Sequence, residues 1–98
     1  MILKMLCYYD KKMNLYTSPI TIDNRSNEDL IEMFRRFTCS KEFNPAYLDF
    51  DIYCLGTFND RTGYVDLEDK PVYLASFSDF ALLRKEVLDN GKKENWTY

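Results

Sequence analysis

Four aspartates sit in the middle of this chain: Asp49 and Asp51 share one face of an alternating stretch, and Asp60 and Asp66 follow in the turn and strand after it. Clustered carboxylates can bind Mg²⁺ for phosphoryl or nuclease chemistry. The plainer reading is a solvated strand face whose charges discourage edge pairing, because carboxylate pairs without a surrounding motif are common. A second group combines cations with rings. Lys11-Lys12 and Arg35-Arg36, with Tyr8, Tyr9 and Tyr16, can make a surface that holds single-stranded nucleic acid by phosphate contact and base stacking, with stacking worth about 1–3 kcal/mol per base. Acidic residues mixed among these cations are instead the pattern of ordinary solubilising charge. The chain has no His, so triad, zinc-protease and His-relay chemistry lack their central residue. Cys7, Cys39 and Cys54 are far apart, show no C-x-x-C spacing and have no neighbouring base, which argues against a nucleophile. All the glycines lie at or beside turns and strand ends, and none builds a phosphate loop. No catalytic residue, metal or cofactor is expected. The candidate nucleic-acid set is Lys11, Lys12, Arg35, Arg36, Tyr8 and Tyr9.

The elements that must position these residues are legible from periodicity. Leu48, Phe50, Ile52, Cys54, Gly56 and Phe58 alternate with Tyr47, Asp49, Asp51, Tyr53, Leu55 and Thr57, as a half-buried antiparallel strand requires. Asn59-Asp60 and Gly63 supply the turn chemistry, and residues 64–67 return as the second arm of a hairpin. This pattern predicts Phe50, Ile52 and Phe58 turned inward against a helix. That helix is announced by the capping-box signature Ser26-Asn27-Glu28-Asp29, and Leu30, Met33, Phe34 and Phe37 form its apolar stripe. Residues 2–9 read as a strand, Asp10-Lys11-Lys12 as a turn, residues 14–17 as a returning strand and residues 20–22 as a short extended piece after Ser18-Pro19. Glu68-Asp69-Lys70-Pro71 is expected to turn, with another strand at residues 72–75. Ser76 or Ser78 opens a last helix with Phe80, Leu83 and Val87 inside, and Asn90-Gly91 is its expected stop.

The sum is an α+β domain: a mostly antiparallel sheet of four to five strands with two helices packed on one face, spanning residues 1–91, with residues 92–98 as a C-terminal tail. A chain of 98 residues has little room for a second core. Eight Tyr, seven Phe and one Trp exceed what one small core can hide, so some rings belong to the surface, where protein interfaces and base stacking use them. The formal charge of −3, from 13 Lys and Arg against 16 Asp and Glu, argues against attachment to nucleic acid mainly by counterion release. The cysteine pattern fits reduced thiols, with Cys54 packed inertly on a buried strand face. The N-terminal residues lack a signal h-region and cleavage site, and no apolar run approaches membrane-spanning length. The Asn95-Trp96-Thr97 sequon has meaning only for a secreted chain.

Leu55-Gly56-Thr57-Phe58-Asn59-Asp60-Arg61-Thr62-Gly63 resembles the hallmark hairpin of the small nonstructural protein of gokushovirus-type microviruses, phages with circular single-stranded DNA genomes. Tyr8-Tyr9-Asp10-Lys11-Lys12, Ser18-Pro19, and Asn44-Pro45-Ala46-Tyr47 leading into Asp51-Ile52-Tyr53 agree in order and spacing. The resemblance covers about residues 5–75. It departs at Asn59, where Asp is expected, and at Ile20, where an aromatic usually follows the proline. It implies a viral nonstructural protein of the host cytoplasm, absent from the virion and labelled DNA-binding, that helps single-stranded genome synthesis or packaging. No catalytic residues transfer with it. Two readings are carried forward: a non-enzymatic accessory protein that binds single-stranded DNA, or a homodimeric interaction module that contacts viral replication or procapsid proteins without touching DNA. Exposed sheet edges and surplus rings motivate the second.

Overall fold

The structure, a computed structural model, describes residues 1–94. In chain order it comprises β1 (Ile2–Asp10), β2 (Leu15–Tyr16), β3 (Ile20–Asp23), α1 (Asn27–Thr38), a 3₁₀ turn (Pro45–Asp49), β4 (Phe50–Asn59), β5 (Val65–Ser76), a second 3₁₀ turn (Phe77–Phe80) and α2 (Ala81–Glu94). The strands form one antiparallel sheet in the order β2-β1-β4-β5, with β3 also paired to β1. β1 therefore holds β4 along one edge and shares its other edge between β2, at Tyr9 and Asp10, and β3, at Leu3 to Leu6. This is the expected α+β architecture.

Each join has a local cause. The carboxylate of Asp10 accepts from the backbone N–H groups of Lys12 (2.9 Å) and Met13 (3.2 Å), and Asn14 takes φ 56°, so the chain reverses after β1. Ser26 Oγ accepts from Asp29 N–H at 3.1 Å and opens α1, whose Leu30 and Phe34 reach the core. Asn44 Oδ1 caps the first 3₁₀ turn through Ala46 N–H, with Pro45 at its start. Leu6, Leu30, Phe34, Phe43, Ile52, Cys54, Ala75 and Phe77 form the buried core, and Tyr8, Tyr47 and Phe50 pack against it. Phe77 is fully buried and lies within 6.4 Å, ring centroid to centroid, of Tyr8, Phe34, Phe37, Phe43 and Tyr47. Full burial of each such side chain contributes about 1.5–3 kcal/mol.

Three sequence expectations are corrected. Phe58 does not face α1. Met5 pairs with Gly56 but Leu6 pairs with Cys54, so Leu55 is an extra residue that reverses the alternation of β4 beyond it. Phe58 consequently joins Leu3 and Val65 on the far face, while Ile52 is buried and Phe50 half-buried on the helix side. Residues 68–71 are not a turn between two strands. They lie within β5 as a bulge facing Leu55 alone, because Gly56 pairs with Leu67 and Cys54 with Val72. Finally, α2 continues through Asn90 and Gly91 to Glu94. A glycine inside a helix costs about 1 kcal/mol relative to alanine, which favours but does not force a stop. Residues 95–98 of the expected tail, with the sequon, lie outside the described residues.

Gly56 makes the bulge possible. Its φ is 148°, and a Cβ built there would stand 2.1 Å from the Asp66 carbonyl oxygen and 2.8 Å from Leu67 Cα. At the hairpin tip, Asn59 Oδ1 accepts from Arg61 N–H (3.0 Å) and Thr62 N–H (3.3 Å), and Gly63 closes the turn at φ 74°.

Candidate functional site

In an antiparallel sheet, directly paired residues point to the same side. The pairings therefore lay out the face away from α1 as four cross-strand rows. They read Asp23, Leu3, Phe58, Val65; then Thr21, Met5, Gly56, Leu67; then Cys7, Tyr53, Tyr73; then Tyr16, Tyr9, Asp51, Ser76. The first two rows are an aliphatic end. The last two gather four tyrosines from four strands.

These tyrosines form a contiguous set of rings. Tyr9 and Tyr16 have centroids 4.8 Å apart, Tyr16 and Tyr53 5.6 Å, Tyr53 and Tyr73 5.8 Å, and Tyr9 and Tyr53 6.5 Å, mostly edge to face. Tyr16 and Tyr73 at the two ends are each 51% exposed, and Cys7 lies buried in the same rows. Burial, followed by electrostatic repulsion from Tyr16 and Asp51, pushes the Tyr53 hydroxyl above its ordinary value. The rings are anchored at both sides. Tyr9 donates its hydroxyl to Asn14 Oδ1 at 3.1 Å. Tyr73 donates to Ser76 Oγ at 3.3 Å, Ser76 Oγ donates to Asp51, and Lys11 Nζ pairs with Asp51 at 3.2 Å. This chain ties β5, β4 and the β1–β2 turn together and fixes Lys11 at the rim of the tyrosine row.

The structure places the candidate residues in three separate environments. Tyr9, Lys11 and Lys12 lie at or beside the tyrosine row, where Lys12 pairs with Asp49 at 2.9 Å and is held further in its charged form by that hydrogen bond. Tyr8 faces the opposite way, into the core, with its ring 5.3 Å from Phe77 and 6.2 Å from Phe34, and burial raises its hydroxyl above the ordinary range. Arg35 and Arg36 belong to α1 on the covered side and both bind Glu32, Arg35 through Nε at 2.7 Å and Arg36 through Nε at 3.3 Å. Hydrogen bonding from Arg35 leads the causes that hold the Glu32 carboxyl at about 2. A nearby surface cavity of about 380 Å³ is lined by Arg25, Asp29, Glu32, Met33 and Arg36, with Arg25 paired to Asp23 at 3.4 Å, so its charges are mutually compensated. The candidate set is thus split between the two faces. Tyr53 and Tyr73, absent from it, are the rings that join Tyr9 and Tyr16, and the alternation putting Tyr53 beside Asp51 was the signal available for finding them.

The aspartates do not converge on a metal site. Asp49 and Asp51 each take a lysine, and Asp66 pairs with Thr57 on the helix side of the sheet. Among the described residues no group of three or more Cys, Asp and Glu is arranged to hold a metal ion. Cys7, Cys39 and Cys54 are free and buried, and burial raises the Cys7 and Cys39 thiols, which disfavours nucleophilic thiolate. No helix among the described residues is long and apolar enough to cross a membrane.

Residues 3–80 match a protein-family model described as Phage ORF5 protein, and the chain belongs to that family. The matched span contains the sheet except for Ile2, together with α1 and the tyrosine row. No curated protein and no solved structure matches the chain.

Proposed function

We propose that this Phage ORF5 protein is a non-catalytic accessory factor that holds single-stranded DNA on its open sheet face during viral genome synthesis or packaging in the host cytoplasm. The observation that carries this reading is the row Tyr16, Tyr9, Tyr53, Tyr73 on an uncovered sheet face. Aromatic rings presented by adjacent strands are what single-stranded nucleic-acid binders use, because every base has a stackable face. Lys11 and Lys12 at the rim offer phosphate contacts, but each is already paired with an aspartate. Binding is therefore led by stacking, and its salt dependence is shallow, with a log–log slope no steeper than about −1.4 for two phosphates on a single strand.

Fluorescence anisotropy with a labelled oligo-dT tests this directly. The native protein should bind in the micromolar range with that slope. Tyr16→Ala should weaken binding by about tenfold, the loss of one stacked base. Absence of binding at low salt, or binding indifferent to Tyr16→Ala, would overturn the reading.

A further inference from the structure

We infer that Asp49 and Asp51 are specificity residues of the tyrosine face: by holding Lys12 and Lys11 they keep double-stranded DNA off a surface that takes single strands. The inference rests on the stacking reading and names what that face excludes. The two forms of DNA offer different handles. A single strand presents base faces to exposed rings. In a duplex the bases are stacked and paired with one another, so a flat protein face meets phosphates, and affinity follows the number of cations that can neutralise them. A face that admits one form and rejects the other therefore needs open rings and restrained cations. Here Tyr16 and Tyr73 are exposed, while both lysines at the rim are ion-paired, Lys11 with Asp51 at 3.2 Å and Lys12 with Asp49 at 2.9 Å.

Both carboxylates are fixed by the fold. The Asp51 side chain is only 15% exposed and also accepts from Ser76 Oγ. Asp49 ends the first 3₁₀ turn, and its carbonyl accepts from Lys11 N–H at 3.3 Å, which pins the β1–β2 turn beside it. The surrounding charge works in the same direction. Asp10, whose carboxylate caps that turn through the N–H groups of Lys12 and Met13, adds to the negative field at Lys12. At the β5 margin, the exposed Glu68 and Asp69 of the bulge outnumber Lys70 just before Val72 and Tyr73. A duplex approaching either margin meets net negative charge. Like charge placed at a rim rejects a wrong partner, because its phosphates find no free cation there. Single strands still bind, because stacking on Tyr16 and Tyr73 asks nothing of the lysines.

Fluorescence anisotropy with a labelled blunt duplex and a labelled oligo-dT of equal length, each at several salt concentrations, tests the inference. The native chain should bind the duplex at least about tenfold more weakly than oligo-dT, the scale of one stacked base. Asp49→Asn and Asp51→Asn should each tighten duplex binding by about fivefold, the scale of an exposed ion pair. Each should also steepen the duplex log–log salt slope by about 0.9, one added phosphate contact. Oligo-dT binding should tighten less, so the preference for single strands narrows. Asparagine at position 51 keeps an oxygen to accept from Ser76, and Asp49 is partly exposed, so circular dichroism should show unchanged folds. Glu32→Gln, on α1, makes the same change in net charge away from the tyrosine face and should leave duplex binding as it is in the native chain. A native chain that holds duplex as tightly as oligo-dT, aspartate variants that gain no duplex affinity, or an equal gain in Glu32→Gln would each overturn the inference. Absence of oligo-dT binding defeats the stacking reading itself, whereas oligo-dT binding with duplex binding unmoved by both aspartate variants defeats this inference alone.

Discussion

The two faces of this sheet come from the same strands and meet opposite fates. On the covered face, Leu6, Ile52, Cys54 and Ala75 pack with Leu30 and Phe34 of α1 and with Phe77 in the hydrophobic core. On the other face, Tyr16, Tyr9, Tyr53 and Tyr73 line up at one end and Leu3, Met5, Phe58, Val65 and Leu67 fill the other, with side chains that remain partly or largely exposed. Both faces are apolar, but only one is buried by the chain itself. Excess aromatic and aliphatic surface on a folded sheet is a binding resource, so residues of the covered face are expected to govern stability and those of the open face association.

The largest effect should come from the covered face. Ile52→Ala removes a fully buried side chain at the middle of the core and should destabilise by about 3–4 kcal/mol in chemical denaturation. A value under about 1 kcal/mol would mean that the covered face is not the core. Gly56→Ala should follow, at about 2–3 kcal/mol, because its new methyl group meets the Asp66 carbonyl and its φ of 148° suits glycine alone. Its loss should come from the hairpin, visible as early amide exchange in β4 and β5. The smallest stability effect belongs to the open face: Tyr16→Ala should cost about 0.5–1.5 kcal/mol, from its ring contacts with Tyr9 and Tyr53. If Tyr16→Ala were as costly as Ile52→Ala, the division of labour between the faces would collapse.

Much of this division was legible in the sequence, and its failure is equally specific. The alternation of residues 48–54 correctly placed Ile52 and Cys54 inside, and Ser26 and Asn59 performed the capping and turn roles their types suggest. The same alternation carried one position too far misplaced Phe58, because nothing in a period of two announces a bulge. Leu55-Gly56 was the available clue, since a glycine inside a strand often marks one. Tyr8 and Tyr9 looked equivalent as neighbours, yet adjacent strand residues always point apart, and pairing with Ile52 sends Tyr8 into the core. Arg35 and Arg36 stood out as a charge pair but are satisfied by Glu32 on their own helix. The tyrosine row itself is a property of register. Its members come from four strands, and only the pairings of β1 with β2 and β4, and of β4 with β5, bring them together.

The central claim is that the tyrosine row is the surface that meets single-stranded DNA, and chemical-shift mapping tests it most directly. During titration of the ¹⁵N,¹³C-labelled protein with oligo-dT, the ring and backbone signals of Tyr9, Tyr16, Tyr53 and Tyr73 should move together, with Lys11 and Lys12 following. Arg35 and Arg36 should stay still. Shifts centred on α1, or no shifts at saturating oligonucleotide, would contradict the account.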